Sequence, residues 1–353
     1  MNKESLSFLK ELMRQPSPSG FEIPAQKVIK NRLKILADKV KTDVHGNVIG
    51  ILNEKAPLKV MLAGHVDEIG LMITHIDDKG FIYFAMIGGM DPMVIVGQRV
   101  CIMAKQGMVR GVIGRKPIHL IEPGERNKEL KITELWIDIG ARDKQDALKA
   151  VAVGDPIVIT PDFIEMRNGL VSSRAFDDRT GAWVVVEVLR ALKGRKLNVA
   201  VYAVSTVQKE VGLRGAHTSA YHIHPDAGIA VDVGFASDCP GVDPKKVGDI
   251  ALGKGPILHV GANINPVLGK LMVATAKKNR IRYQMQAEPR GTGTDANAIQ
   301  LARGGCATAL VSIPNRYMHT PVEVVSLKDM DASVALITET LLAMKSNASF
   351  VPN

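Results

Sequence analysis

The stretch LNVAVYAVSTVQKEVGLRGAHT (197–218) decides the fold. Its apolar first part, Leu197–Val204, predicts a buried strand, and the glycine-punctuated turn that follows leads into a short helix after Gly215. Proteins of the α/β class place their chemistry where such a strand ends. Glu210, with Lys209 directly before it, therefore marks the first candidate site.

Strand and helix patterns alternate on both sides of this stretch. The first part of the chain carries two helix patterns followed by two strand patterns, Ser5–Gln15, Pro24–Ala37, VKTDVHGNVIGIL and LKVMLAGHVDEIGLMIT. The later part alternates helix and strand, with Arg179–Leu192, AGIAVDVG, Ile264–Lys278, IRYQMQAE, Asp295–Ala302 and ATALVSIP. Alternation of this length predicts an α/β fold with a mixed sheet and helices on both faces.

Residues 74–164 have a different character. Short β-like runs separated by glycine and proline follow one another here, with a single helix pattern at Asp143–Ala150. Such a series predicts a small β-barrel or sandwich inserted into the α/β domain. We therefore predict a first domain built from 1–73 and 165–353, interrupted by a second domain at 74–164. A last helix is expected to begin at Ser326, with Asp329 completing a capping box.

Composition excludes several classes of protein. The chain has 353 residues, 46% of them hydrophobic and 23% charged, which is ordinary for a folded globular protein. The net charge of +9 is spread among 36 acidic residues and aromatics make up only 4%, so we expect no nucleic-acid partner. Cys101, Cys239 and Cys306 lack pairing spacings and predict reduced thiols in the cytoplasm. No apolar run reaches the roughly 18 residues of a membrane helix.

Polar residues interrupt or end the apolar strands at several places. They are His65, Asp67, Asp177, Asp178, Glu210, Asp232 and His319. The carboxyl ends of strands in an open α/β sheet meet in one crevice, so these side chains are expected to lie together. Imidazoles and carboxylates without thiolates form a ligand set for a pair of divalent ions, zinc, cobalt or manganese.

Each of these residues also has a simpler interpretation. A single histidine at a strand end can be an ordinary core or surface residue, and Asp177-Asp178 can interact with a helix N-terminus. Glu210 can pair with Arg214 one turn later. Asp232 is harder to explain in this way, because a carboxylate within an apolar strand needs a partner or a metal. A site for a pair of divalent metal ions would explain all of these polar residues together.

Six motifs resemble a known family in order and spacing. They are AGHVDEIGLM, RAFDDRTG, QKEVGLRGA, AVDVG, GTGTDANAIQLA and IPNRYMHTPVEVV. Together they resemble the M42 family of dinuclear-metal aminopeptidases, which includes the tetrahedral aminopeptidases and proteins labelled glutamyl aminopeptidase or endoglucanase M. The resemblance covers nearly the whole chain.

The resemblance implies a metallopeptidase that acts on short peptides and carries a PDZ-like barrel as its dimerisation domain. It also implies dimers that often assemble into dodecameric tetrahedral shells. Two divalent metal ions are expected in each subunit, zinc or cobalt, with manganese as a further option. By position, one ion would be bound by His65 and Asp232, the other by Glu210 and His319, and Asp177 would bridge them.

The resemblance further assigns two residues beside the metals. Asp177–Asp178 is expected to be a cis peptide bond, and Asp67 is expected to orient the imidazole of His65. The glycine-rich GTGTDANAI lacks the lysine of a phosphate loop. It is either a wall of the crevice or a helix start capped by Thr294 or Asp295.

Lys209 departs from the family pattern. The family carries Q-E-E-V-G, whose first glutamate is the general base, whereas this sequence has Gln208-Lys209-Glu210. One interpretation is a metal-binding homologue with little or no peptidase turnover, since a protonated lysine cannot accept a proton. Another is a working enzyme in which a neutral lysine or a further carboxylate serves as base. A third is a different hydrolytic substrate, although the acids are better explained as metal ligands than as a glycosidase pair.

Overall fold

The computed structural model describes residues 1–125 and 128–352, and places its strands in a large sheet and a closed barrel. The α-helices are α1 (Lys3–Arg14), α2 (Ile23–Leu36), α3 (Pro92–Ile95), α4 (Lys144–Ala150), α5 (Phe176–Leu192), α6 (Arg214–Ile223), α7 (Pro244–Val247), α8 (Pro266–Lys278), α9 (Asp295–Gln300) and α10 (Leu327–Ala343). The strands are β1 (Lys39–Thr42), β2 (Val48–Leu52), β3 (Lys59–His65), β4 (Gly70–Ile76), β5 (Ile82–Ile87), β6 (Arg99–Ala104), β7 (Gly107–Gly114), β8 (Trp136–Asp138), β9 (Pro156–Ile159), β10 (Phe163–Glu165), β11 (Leu170–Ser173), β12 (Ala200–Thr206), β13 (Ala227–Phe235), β14 (Ile257–Gly261), β15 (Gln284–Glu288), β16 (Ala307–Arg316) and β17 (Glu323–Ser326).

The large sheet runs β1-β2-β12-β3-β13-β16-β17-β11-β10, with β14 joined to β16 and β15 joined to β14. Its central strands β12, β3, β13 and β16 are parallel, while the strands at both ends pair antiparallel. Every residue of β12 is buried, as expected for a parallel strand covered on both faces. The predicted mixed α/β sheet is confirmed.

Helices cover both faces of this sheet. On one face α1, α2, α5, α8 and α10 enclose the larger apolar core, and on the other α6 and α9 pack over a smaller one. Helix α5 comes very close to β3, because a Cβ added at Gly64 would lie 2.4 Å from the backbone carbon of Gly181. This close approach brings the start of α5 to the end of β3.

The closed barrel consists of β4-β5-β8-β7-β6-β9 and has its own apolar core. Its strands run from Gly70 to Ile159, and β10 already belongs to the large sheet. The pattern LKVMLAGHVDEIGLMIT is therefore divided between two sheets, β3 in the large one and β4 in the barrel. The domain division at 74 and 164 stays a prediction. The barrel strands begin at Gly70, before the predicted first residue of the insert, and end at Ile159, before its predicted last residue.

Helix α5 begins at Phe176, three residues before the predicted start at Arg179, and Asp177 and Asp178 lie in its first turn with non-helical backbone angles. The expected capping box at Ser326 and the alternative pairing of Glu210 with Arg214 are both wrong. Ser326 caps α10 by accepting from the backbone N–H of Lys328, but no capping box forms, because Asp329 accepts from Gly253 and Gly255 instead. The guanidinium of Arg214 donates to Gln208 at 3.4 Å and not to Glu210. Over the residues that the structure describes, no helix is both long and apolar enough to cross a bilayer.

Candidate metal centre

The predicted ligands meet at the carboxyl ends of the central parallel strands. His65 is the last residue of β3, Asp232 lies in the second half of β13, and Glu210 follows β12. Asp177 comes from the start of α5, and His319 from the turn between β16 and β17. This is the edge at which open α/β sheets bind their ligands.

Asp177 lies between two imidazoles. One of its oxygens, Oδ1, is 3.0 Å from Nε2 of His65, and the other, Oδ2, is 3.2 Å from Nε2 of His319. Nε2 of His319 is also 3.7 Å from Oε1 of Glu210. The peptide bond between Asp177 and Asp178 is cis, which confirms that prediction.

The donor atoms fit a divalent metal ion. Two groups, each with one ligand atom per residue and all atoms within 4.8 Å of one another, are His65 with Asp177 and Glu210, and His65 with Asp178 and Asp232. Oε1 of Glu210 and Oδ2 of Asp232 are buried acceptors that receive no hydrogen bond. The nearby Lys209 ammonium, at 3.7 Å from the first and 3.5 Å from the second, is beyond hydrogen-bonding distance, so both oxygens keep lone pairs that are suited to metal ligation.

Carboxylates behind this cluster hold its loops in place. Asp67 accepts from the backbone N–H of Lys209 at 3.0 Å and of Glu210 at 3.1 Å, and its Oδ1 is 3.3 Å from Nδ1 of His65. Asp178 accepts from the backbone N–H of His65 at 3.1 Å. These bonds fix His65 and Glu210 relative to each other, an arrangement in which Asp67 can orient the imidazole.

Glu323 is a member of the site that the sequence did not reveal. Its carboxylate accepts from the backbone N–H of Asp177 at 2.9 Å and of His319 at 3.0 Å, and so joins the two. Burial, with the negative charge of Asp177, raises the pKa of Glu323 to about 8. The sequence could have revealed Glu323, because it is an acidic residue between valines in VEVV. Asp232 was singled out for the same reason, as a carboxylate within an apolar strand.

A second unforeseen group lies beside the site. Glu68 is buried and forms ion pairs with two buried arginines, Arg174 and Arg179, the latter at 2.6 Å. Arg179 also donates to the main-chain oxygens of Leu12 and Met13. The network ties the loop after β3 and the start of α5 to the N-terminal helix.

The charged groups of the cluster shift one another's pKa values. Although burial opposes ionisation of Asp177, the Lys209 ammonium and the hydrogen bonds of both imidazoles hold its pKa well below the usual range. Burial raises the pKa of Glu210 to about 7, with Asp177 acting in the same direction and Lys209 against it. The hydrogen bond to Asp177 raises the pKa of His319 to about 9.

Lys209 lies inside the cluster and not beside it. Its Nζ is 3.2 Å from Oδ1 of Asp177, 3.5 Å from Oδ2 of Asp232 and 3.7 Å from Oε1 of Glu210, and its side chain is 8% exposed. Burial alone would lower the pKa of Lys209, but these carboxylates raise it well above its usual value. The position at which the resemblance led us to expect a proton acceptor is thus occupied by a lysine that is paired with three carboxylates.

A crevice of about 400 Å³ adjoins the cluster. Its wall includes Gly291–Thr294, which agrees with one of the two interpretations of GTGTDANAI. Thr294 precedes α9 but its side chain makes no capping bond, and Asp295 instead accepts from the hydroxyl of Thr206 at 2.6 Å. Cys239 bonds to the carbonyl oxygen of Ala236 and takes no part in this cluster.

Residues 46–336 match the family model described as M42 glutamyl aminopeptidase. The chain belongs to this family. The M42 chain is 36% identical to the lysyl aminopeptidase of Pyrococcus furiosus over 342 residues, which cover 96% of each protein.

Solved structures agree with this assignment. The TET aminopeptidase of a marine sediment Thaumarchaeota archaeon superposes with a TM-score of 0.93 at 36% identity, covering 97% of both chains. The TET1 peptidase of Pyrococcus horikoshii, described as assembling into a tetrahedron or a large octahedral shell, gives a TM-score of 0.87 at 32% identity, covering 96% of this chain and 100% of that one. The predicted family, fold class and peptidase class are thereby confirmed, and the protein is a hydrolase of the aminopeptidase type.

Proposed function

We propose that this M42 chain removes N-terminal residues from short peptides by metal-dependent hydrolysis in the crevice of about 400 Å³. The observation that carries the proposal is the convergence of His65, Asp177, Glu210, Asp232 and His319 at one end of that crevice. Two divalent positions are proposed, one at His65, Asp177 and Asp232 and the other at Asp177, Glu210 and His319. Zinc or cobalt is the expected metal, with manganese as an alternative.

The ions, when bound, would acidify a water, polarise the scissile carbonyl and hold the free amine of the substrate. The protein's own residues would do the rest. Asp67 and Glu323 hold the ligand loops through backbone N–H groups, so that the ligands are fixed before substrate arrives. The crevice of about 400 Å³, which is lined by Asp177, Glu210 and Asp232, would receive the peptide.

Lys209 supports a second candidate function. A protonated lysine has no lone pair, and three carboxylates surround this one, so the ordinary general-base step has no acceptor at this position. The alternative is therefore an M42 homologue that binds metal and peptide with little or no turnover. If turnover occurs, a neutral Lys209 or another carboxylate has to accept the proton.

The assembly and the location of the protein are further parts of this proposal. We propose a homo-oligomer, in which a dimer joined through the barrel of β4–β9 assembles further into a dodecameric shell. The proposal is supported by the solved PhTET1 structure, which is described as a dodecamer. A cytoplasmic location is proposed from the unpaired thiols of Cys101, Cys239 and Cys306.

A panel assay tests the proposed activity. The purified full-length protein, stripped with EDTA and supplied with Zn²⁺, Co²⁺ or Mn²⁺, is offered aminoacyl reporter substrates and the same reporters with a blocked N-terminus. We expect hydrolysis of free-amine reporters only, and only with metal. Cleavage that survives EDTA, or that ignores the block, would count against the proposal.

Lys209→Glu separates the two candidate functions. If only the base is missing, this substitution is expected to raise the hydrolysis rate by about 10²–10⁴-fold, the usual contribution of a general base. A loss of existing activity would instead show that the lysine takes part in turnover. Lys105→Glu, on an exposed position of the barrel, is the matched control and is expected to leave the rate unchanged.

A further inference from the structure

The Lys209 ammonium contacts the ligands of one metal position more closely than those of the other. Oδ1 of Asp177, at 3.2 Å, and Oδ2 of Asp232, at 3.5 Å, both belong to the position that includes His65. Oε1 of Glu210, in the other position, is 3.7 Å away, and Oδ2 of Asp177 faces His319. The ammonium is thus slightly closer to the two proposed ligand oxygens on the His65 side than to Glu210.

A metal ion at the His65 position would be very close to this ammonium. Zinc binds carboxylate oxygens at about 2.0–2.2 Å. Because Nζ is 3.2 Å from the same oxygen of Asp177, a metal on that oxygen can be no farther than about 5.4 Å from Nζ. Two cations at such a distance inside a protein repel each other strongly.

The charges of the cluster favour one ion together with the lysine. Asp177, Glu210 and Asp232 carry three negative charges when ionised, which one dication and one ammonium balance. Asp178, also nearby, accepts from two backbone N–H groups, those of His65 and Gly181. A second dication would leave two excess positive charges with the ammonium in place and one if the lysine side chain moved away.

The backbone of Lys209 is held in place, but the crevice next to its side chain leaves space for a rotation. The backbone N–H donates to Asp67 at 3.0 Å, which holds the main chain in place. The side chain also lines the crevice of about 400 Å³, next to Glu210 and Asp232. A rotation about its side-chain bonds would carry the ammonium out of the cluster without moving the ligand loops.

We propose that Lys209 is a built-in cation that competes with metal for the His65–Asp177–Asp232 position, so that two divalent ions bind in unequal steps. The Asp177–Glu210–His319 position fills first, with the ammonium still in place. The His65 position fills only when the lysine side chain rotates into the crevice. This inference rests on the metal site of the proposed function and adds an order of occupation to it.

Calorimetric titration of the EDTA-stripped full-length protein with Zn²⁺ alone tests the proposal, with bound zinc counted by mass spectrometry. For the wild type we expect one tight ion per subunit and a second bound about 100-fold more weakly, within the range of couplings between linked sites. Lys209→Met removes the charge at similar length and is expected to bring the two affinities within about tenfold. Lys105→Met, an exposed lysine of the barrel, is expected to behave as wild type.

Two equal sites in the wild type would overturn the inference while leaving the proposed metal site intact. An unchanged gap in Lys209→Met would also overturn it, since the inequality would then have another origin. Absence of zinc binding in every variant would remove the metal site itself and the inference with it. Lys209→Gln, checked by circular dichroism, replaces the methionine variant if that one does not fold.

Discussion

Asp177 is the residue on which the proposed metal site depends most, because each of its oxygens faces a different histidine. Replacing Asp177 by asparagine turns one oxygen into an amide that cannot ligate, and removes a negative charge. We expect zinc affinity to fall by more than the roughly 10–100-fold that the loss of a supporting residue costs. Titration calorimetry measures this, with the exposed Asp249→Asn as a matched control. Zinc affinity equal to wild type would contradict the assignment.

Glu68 allows a prediction about stability. Replacing Glu68 by glutamine leaves the buried guanidiniums of Arg174 and Arg179 without their counter-charge. Removing one partner of a buried ion pair typically costs about 3–5 kcal/mol. Urea unfolding is expected to show a loss of this size.

The matched control for Glu68 is Glu339→Gln, which breaks an exposed pair with Arg195. Exposed pairs are worth about 0–1 kcal/mol, so the control is expected to unfold almost as the wild type does. Equal losses in both variants would mean that the buried network contributes nothing special to the free energy of unfolding.

The residues that the sequence singled out as candidate ligands lie together in the structure, and their positions in the sequence explain why they could be found. His65, Asp232 and Glu210 interrupt or end apolar strands, where a polar residue needs a special explanation. Glu323 and Glu68 were missed because their partners come from distant segments, Asp177 and His319 for one and two arginines for the other. Such pairings are set by the packing of loops, which local patterns do not encode.

At the scale of elements, the contact between α5 and β3 places Asp177 next to His65. Gly64→Ala would put a Cβ 2.4 Å from the backbone carbon of Gly181, and backbone cannot move aside cheaply. We expect a loss of about 1–3 kcal/mol or more in the free energy of unfolding, as for overpacked cores. We also expect weaker zinc binding, because α5 would be pushed from β3.

Gly304→Ala is the control for this substitution. No atom lies within 4 Å of the Cβ that it would add, and the residue is exposed. Its free energy of unfolding is expected to stay within about 0.5 kcal/mol of the wild type. If Gly64→Ala behaved in the same way, the close contact of helix and strand would not be a constraint on the fold.

Elements with strong apolar periodicity were predictable, while their ends were not. β12 and α6 lie where the opening stretch predicted them, because an apolar run and a glycine turn define both. The division between β3 and β4 was not visible, since apolar residues continue on both sides of Asp67 and Glu68. The capping box at Ser326 failed because Asp329 is used by the loop at Gly253 and Gly255.

For the whole molecule, the barrel is the proposed dimerisation surface. Met108, Val112 and Leu120 are apolar residues at 47–63% exposure on or next to this barrel. Exposed apolar surface often marks an interface between proteins, so these residues are candidates for the dimer contact. We expect light scattering to give the mass of an oligomer, that is, of two or more chains of 38.1 kDa each.

Leu120→Glu is expected to lower that mass, because a charge would be buried at the interface. Val44→Glu makes the same change at a fully exposed position outside the barrel and is expected to leave the mass as in the wild type. A wild-type mass of 38.1 kDa would contradict the proposed oligomer. The barrel itself was predictable from its short glycine-bounded runs, but the surface that it presents to a partner was not.

The most direct test of the metal centre is anomalous diffraction from crystals grown with zinc. Data collected on either side of the zinc absorption edge locate the metal without reference to activity. We predict an anomalous peak within about 2.0–2.2 Å of ligand atoms of Asp177, Glu210 and His319, with a weaker peak beside His65 and Asp232. Crystals with ample zinc that show no peak among these side chains, or that show them turned apart, would contradict the account.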